Sequence, residues 1–265
     1  MNFFKKYLSI KYIVLSAILS TFFVFTTYDI YSQQNNEKFK DHVVFYCQHQ
    51  DDEVLWAGSA IINAINEVGK DNVYVVLVSN GSGIAVFDRY KKFENLNPED
   101  KIEYRNREFL ASTKSLGVIP ENTIILPKTS PQDESYFESM ENIAIKFENK
   151  FNSVTHIAHT YKLDDHLQHI KNGSVIQGLY NAGKIQDAKY FVKPKYEDKI
   201  TRNNKIIYTV KSERDYNKIK NACEQYKFVD SHSFREGIGY KSDHKSFDEL
   251  LKNKSAPSYL HTPYL

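Results

Sequence analysis

The sequence is short of cysteine, of net charge and of repetition, and each shortage removes a class of protein. It has 2 cysteines in 265 residues, which excludes a zinc site built on thiolates. Cys47 lies in an apolar run that reads as a buried strand, so Cys47 and Cys223 are expected to be buried, inert thiols rather than a disulfide. Net charge is only +2. That excess lies wholly in residues 1–32, where Lys5, Lys6 and Lys11 face the single Asp29. The rest of the chain carries equal numbers of basic and acidic side chains, which argues against a nucleic-acid binder, because that affinity rests on clustered cations. There is no internal repeat and no low-complexity segment. What is present is 41% hydrophobic and 14% aromatic content, enough apolar surface for a real core.

The N-terminus reads as a separate object. Three lysines precede Tyr12–Tyr28, seventeen residues without a charge, the pattern of a signal peptide or membrane anchor. At ~1.5 Å per residue the run spans about 25 Å, just short of a ~30 Å hydrocarbon core. No A-x-A cleavage site follows, and no cysteine lies nearby for lipidation. The lysines place everything after residue 32 outside the cytoplasm. The expected organisation is a leader or anchor over 1–32, a polar tether over 33–40, and one domain over 41–265, exported and either membrane-anchored or secreted.

Within the domain, strands are expected at Val43–Cys47, Val73–Val78, Thr123–Leu126 and Val154–His159. Helices are expected at Val54–Val68, Pro98–Leu116 (closed by Gly117), Ser139–Phe151 and Ile170–Asn181. Such alternation of near-continuous apolar strands with helices predicts an α/β domain on a mostly parallel sheet flanked by helices. After Asp187 the pattern changes. Ala188–Val192 and Ile206–Val210 look strand-like, Glu213–Phe228 helical, and the tail beyond Phe234 polar.

Sites in open α/β sheets form beyond the carboxyl ends of the strands, and two polar clusters fall there. Gln48-His49-Gln50-Asp51-Asp52-Glu53 follows the first strand, and Asp164-Asp165-His166-Leu167-Gln168-His169 follows the fourth. Three acids crowded at a strand end repel unless a cation or proton relieves them. Imidazole with carboxylate suits Zn²⁺, and three protein ligands leave a fourth position for water. Either cluster alone also fits a solvated loop or helix cap. His156 and His159 share the three-residue spacing of His166 and His169, but in a strand they point to opposite faces, so a structural role is expected for both. His42, His232, His244 and His261 lie outside any cluster and are expected at the surface.

Taken together and in order, four segments resemble the PIG-L/LmbE-like de-N-acetylases. His49-Gln50-Asp51-Asp52-Glu53 is similar to that family's His-Pro-Asp-Asp-Glu signature, and Asn80-Gly81 to its next loop. Arg105-x-x-Glu108 with Ala111 and Leu116-Gly117 resembles its Arg-x-x-Glu helix, and Asp164-Asp165-His166-Leu167-Gln168-His169 its Asp-x-His-Pro-Asp-His element. The chain departs from the pattern at Gln50, in place of proline, and at Leu167-Gln168, in place of Pro-Asp. The resemblance implies a Rossmann-like fold and metal-dependent hydrolysis of an N-acetylglucosamine-type sugar, releasing acetate and a free amine. It implies His49, Asp52 and His169 as ligands of Zn²⁺ or another divalent metal, Asp51 as general base, and a protonated His166 that stabilises the oxyanion together with the metal. Arg105 is a candidate for substrate contact or for a helical pair with Glu108, and Asn80-Gly81 for presenting backbone N–H groups or for a simple turn. Glu53 is expected to support its neighbours rather than catalyse, and Trp56 to pack inside a helix. The expected partner is an N-acetylated glycan or glycolipid. The alternatives are another metallohydrolase on this scaffold, an esterase or phosphodiesterase, and a surface-tethered glycan-binding protein without catalysis.

Overall fold

Along the first strand Val43, Phe45 and Cys47 point to one face of a sheet and Val44 and Tyr46 to the other, and all five are fully buried. A strand buried on both faces requires helices on both sides. The computed structural model describes residues 38–129 and 136–265, with Phe39–Leu265 forming one compact unit. The leader expected over 1–32 and most of the tether lie outside the described residues. Among those described, no helix is long and apolar enough to cross a membrane.

In chain order the principal elements are β1 (His42–Cys47), α1 (Asp52–Leu55), α2 (Gly58–Val68), β2 (Val73–Leu77), α3 (Pro98–Leu116), β3 (Thr123–Ile125), α4 (Tyr136–Phe151) and β4 (Val154–His159). They continue with α5 (Leu167–Asn181), β5 (Ala188–Val192), β6 (Lys205–Tyr208), α6 (Glu213–Gln225), β7 (Val229–Asp230), β8 (Arg235–Glu236), α7 (Ile238–Lys252) and β9 (Ser258–His261). The main sheet runs β3-β2-β1-β4-β5-β9-β6. Its first five strands are parallel, and β9 is antiparallel to both β5 and β6. Helices α1, α2, α3 and α6 cover one face through residues such as Ala60, Ile61, Phe109 and Ile219. Helices α4 and α5 cover the other through Met140, Phe147, Ile176 and Leu179.

Chain order along the sheet reverses between β1 and β4: β2 and β3 lie to one side, β4 and β5 to the other. The loops leaving β1 and β4 therefore diverge and open a crevice beyond their carboxyl ends. Both polar clusters emerge there.

Helix α3 spans the expected residues because its ends are specified locally. Asn97 Oδ1 accepts from the Asp100 N–H at 2.7 Å, Pro98 fills the first turn, and Gly117 takes φ 103° just past the end. Three expectations need correction. The helix expected over Val54–Val68 is two helices, α1 and α2, so Trp56 sits at the break between them rather than inside a helix. The polar tail contains α7 and also β9, which inserts into the sheet between β5 and β6. His261 is accordingly not at the surface but fully buried, with Nε2 2.9 Å from Thr160 Oγ1. Cys47 and Cys223 are both free and buried, and burial pushes both thiols above their usual range.

Candidate functional site

The loop after β1 places His49 at the crevice and turns sharply at Asp51, whose φ of 127° lies where non-glycine residues are strained. Such strain costs about 1–3 kcal/mol and needs surrounding structure to hold it. Glu53 supplies part of that support. Its Oε2 accepts from the Asp51 N–H at 3.0 Å, and its Oε1 accepts from the Tyr226 hydroxyl at 2.8 Å. Glu53 is fully buried, and burial raises its carboxyl to about 8 against the hydrogen bond from Tyr226. The turn lets Asp51 and Asp52 diverge. Asp51 Oδ2 faces the Arg105 guanidinium at 3.2 Å, and Asp52 faces the histidines.

The histidine tautomers follow from their partners. His49 Nε2 lies 2.7 Å from the Gln168 Oε1 acceptor, so it carries the proton and Nδ1 presents a lone pair. His169 Nδ1 lies 3.0 Å from the Asp164 carboxylate, so its Nε2 likewise presents a lone pair. These two lone-pair nitrogens face each other at 3.0 Å. Asp52 adds oxygens 3.6 Å from His49 Nδ1 and 3.5 Å from His169 Nε2. Three electron-pair donors converge, an arrangement that repels unless a proton or a cation lies among them. Without a cation it is a proton. Burial alone lowers the His169 imidazolium, but Asp52 and Asp164 outweigh it and raise the group to about 9. For a tetrahedral ion with ~2.0–2.1 Å bonds to nitrogen, ligand atoms lie about 3.3 Å apart; the two imidazole nitrogens are near that spacing, while Asp52 turns Oδ2 toward His49 and Oδ1 toward His169. The donor set fits a divalent metal.

His159 is a site residue that sequence reasoning misses. It is buried, as a structural residue should be, but its ring stacks on His169 at 3.9 Å and its Nε2 lies 3.0 Å from Asp52 Oδ2. Burial, then the charge on His169, lowers its imidazolium to about 3, so it stays neutral. His156 points to the other face, between Tyr46 and Glu148. Among the described residues two groups bring ligand atoms within 4.8 Å of one another: His49, His166 and His169, and Asp52, His159 and His169. His169 belongs to both.

Asp51 differs from Asp52 in its environment. Burial raises the Asp51 carboxyl to about 6, with Arg105 opposing and Asp52 reinforcing the shift. For Asp52 burial acts in the same direction, but His159 and His169 overcome it and hold that carboxyl well below the usual range. One carboxylate is thus poised to exchange a proton near neutrality and the other is fixed as an anion. His166 caps α5, its ring 4.8 Å from that of His49 and 4.7 Å from that of His169. Burial, then His169 and His49, lowers its imidazolium below the ordinary value.

The remaining candidates also gather here. Arg105 is buried; its guanidinium donates to the Gln50 carbonyl and to Asp51 and lies 3.7 Å from Glu108. Glu108 in turn accepts from the Ile238 and Gly239 N–H groups and so caps α7. Asn80 forms a local turn, its Oδ1 accepting from the Ser82 N–H, while its carbonyl accepts from Gln50 Nε2. Gly81 has φ 69°, and a Cβ there would lie 2.2 Å from Gln50 Oε1. Gln50, standing where the resembling signature has proline, ties the β1 loop to the β2 loop and, through Asn106, to α3. Trp56 Nε1 donates to Asp52 Oδ1 at 3.1 Å, and Lys193 reaches Asp164 at 2.9 Å. Neither contact is legible in the sequence, since both depend on the crevice being assembled. The site lines a cavity of about 590 Å³ bordered by Asp51, Asn80, Gly81, Arg105 and His166 among others.

The family model described as PIG-L, GlcNAc-PI de-N-acetylase, matches residues 44–179, just over half of the chain. No curated protein matches the sequence. Among solved structures, a triple mutant of a deacetylase from the teicoplanin biosynthetic pathway is 14% identical. That match covers 83% of this chain and 97% of the other, with a TM-score of 0.55. The deacetylase of an antimicrobial pseudoaglycone is 13% identical over 84% of this chain and 96% of the other, with a TM-score of 0.57. The N,N'-diacetylchitobiose deacetylase from Pyrococcus horikoshii is 18% identical over 80% and 82%, with a TM-score of 0.51. At these identities the likenesses establish the fold.

Proposed function

The chain belongs to the PIG-L family of GlcNAc-PI de-N-acetylases, and from that premise we propose that it hydrolyses the N-acetyl group of an N-acetylglucosamine-type sugar. The observation that carries the reading is the convergence of His49 Nδ1, His169 Nε2 and the Asp52 carboxylate beside a second carboxylate, Asp51, of opposite proton affinity. His49, Asp52 and His169 would hold a divalent metal, with zinc favoured by two imidazoles and one carboxylate. Such an ion supplies Lewis acidity to the amide carbonyl and acidifies water.

The chain's own residues supply the proton transfers and the orientation. Asp51 takes a proton from the attacking water and returns it to the leaving amine, a contribution typically worth 10²–10⁴-fold. Arg105 sets the position of Asp51 and keeps its carboxyl from rising further. His166 lines the same cavity, and no hydrogen bond to its ring occurs among the described residues. The protonated His166 expected from the resemblance is disfavoured by burial and by His169 and His49, but a neutral imidazole still has one N–H, which suffices to donate to the developing oxyanion. Asp164 fixes the His169 tautomer, and Gln168 fixes that of His49. The basic-then-apolar leader adds an exported or membrane-anchored site of action to this proposal, which fractionation of the expressed chain tests.

The decisive experiment is acetate release from N-acetylglucosamine-containing substrates with and without Zn²⁺. Asp51→Asn should retain metal and lose at least about 10²-fold in kcat. Full activity in that variant refutes the assigned base, and failure of every acetylated sugar refutes the substrate class.

A further inference from the structure

His169 belongs to two convergent groups of ligand atoms, and one of them, His49, His166 and His169, contains no carboxylate. Its three ring centres form a near-equilateral triangle. They lie 4.8 Å apart from His49 to His166, 4.7 Å from His166 to His169 and 5.0 Å from His49 to His169. That size has a physical meaning. A ring centre lies roughly 1.1 Å beyond its ligating nitrogen, so three imidazoles at tetrahedral angles about one ion, with ~2.0–2.1 Å bonds, have centres about 5 Å apart. The triangle meets that spacing on all sides.

The lone pairs are also available. Gln168 and Asp164 engage the outer nitrogens of His49 and His169, which leaves His49 Nδ1 and His169 Nε2 facing each other at 3.0 Å. The His166 ring is exposed, lines the cavity and has no hydrogen-bond partner among the described residues. Either of its nitrogens can therefore present the lone pair. The other group, Asp52, His159 and His169, is less open to an ion, because His159 Nε2 already accepts from the Gln48 N–H at 3.2 Å. Asp52 stays outside the three-imidazole group, where it accepts from the His49 N–H at 2.7 Å and from Trp56 Nε1 at 3.1 Å.

We propose that His49, His166 and His169 form a second metal position that prefers Cu²⁺ and excludes the one completed by Asp52. The two positions share His49 Nδ1 and His169 Nε2, so a single ion occupies one or the other. Exchanging a carboxylate for a third imidazole removes the ligand that suits harder ions, and Cu²⁺ stands above Zn²⁺ in affinity for such sites. An ion held there also ties the His166 ring to itself instead of to the substrate oxygen, so copper should inactivate the protein. The inactivation rests on the deacetylase reading; the copper position does not.

The full chain, stripped of metal with a chelator, is loaded with one equivalent of Cu²⁺ or of Zn²⁺. Chelator competition reads the affinities, and pulsed EPR counts the imidazoles bound to copper. Wild type should show three and His166→Ala two. Because the His166 ring is exposed and unbonded, this variant removes the ligand without disturbing packing. Loss of a direct ligand should weaken Cu²⁺ at least as much as loss of an outer partner does, about 10-fold or more, with Zn²⁺ affinity unchanged. Asp52→Asn should do the reverse, weakening Zn²⁺ and keeping the three-imidazole copper signal. The same imidazole count in wild type and His166→Ala, or equal losses of both metals in that variant, overturns the inference. Cu²⁺ added to the Zn²⁺-loaded protein should abolish acetate release from N-acetylglucosamine, and chelation followed by Zn²⁺ should restore it. Undiminished release with copper bound overturns the exclusion of one position by the other. If no metal supports acetate release, the deacetylase reading fails, and the copper spectra alone decide the second position.

Discussion

Gly173 is where helix packing and the metal site are joined, and replacing it tests both. It lies on α5 one turn after His169, on the same face. A Cβ at this position would sit 2.2 Å from the His159 carbonyl oxygen and 2.7 Å from backbone atoms of Thr160 and Tyr161. Real Cβ contacts do not fall below 3.0 Å, and backbone at a strand end cannot rotate aside as a side chain can. In Gly173→Ala, α5 must therefore withdraw from β4 by about 0.8 Å, which is overpacking worth about 1–3 kcal/mol. His169 moves with the helix and away from His49 Nδ1, now 3.0 Å distant. A misplacement approaching 1 Å at a reacting centre costs on the order of 10²-fold in rate. Gly178 on the same helix is the control, because nothing lies within 4 Å of its would-be Cβ. Gly178→Ala should stabilise by up to about 1 kcal/mol through helix propensity. Urea unfolding, calorimetric Zn²⁺ titration and acetate release read all three effects. A Gly173→Ala protein with wild-type midpoint and wild-type metal affinity would refute the reasoning.

Asp164→Asn removes the carboxylate that orients His169 and should weaken Zn²⁺ about 10–100-fold, measured by competition with a chelator; unchanged affinity would remove Asp164 from the site. Metal uptake should also depend on pH. With His169 raised to about 9, binding at neutral pH displaces its proton, so apparent affinity climbs with pH and levels off above about 9. Calorimetry in buffers of different ionisation enthalpy should show that release, and its absence would contradict the protonated state of His169 in the metal-free protein. His261 gives a stability test remote from the metal. Burial lowers its imidazolium to about 4 against the Thr262 carbonyl. The unfolded chain therefore takes up a proton below about pH 6.5 that the folded chain refuses, and stability is lost as pH falls from about 6.5 to 4. The loss approaches about 3 kcal/mol. His261→Phe should narrow its stability gap to wild type by that order between pH 7 and pH 4 in urea titrations; parallel profiles would exclude the effect.

Much of the site is legible in one dimension because its chemistry is local. His49, Asp51 and Asp52 occupy one turn after β1, and Asp164, His166 and His169 occupy the entry to α5. Strand ends in a parallel sheet bring such segments together whatever the intervening loops do. His159 escapes that logic. Its position in a buried strand is visible, but that its ring meets Asp52 depends on the register of β4 beside β1, where Phe45 pairs with Ile157. Gln50 reads as a lost proline until the β2 loop closes over it and requires glycine at residue 81.

The sequence by itself determined the α/β class, the extent of α3 and β4, the burial of both thiols and the two clusters that form the site, because each rests on local pattern: apolar period, capping residues and short spacing. Tertiary structure alone decided the rest. Insertion of β9 between β5 and β6 buried His261, a pairing too distant along the chain to leave a local signal. Separation of the two adjacent carboxylates was likewise decided in three dimensions. Asp51 and Asp52 are chemically identical, and only the fold sets an arginine against one and two imidazoles against the other.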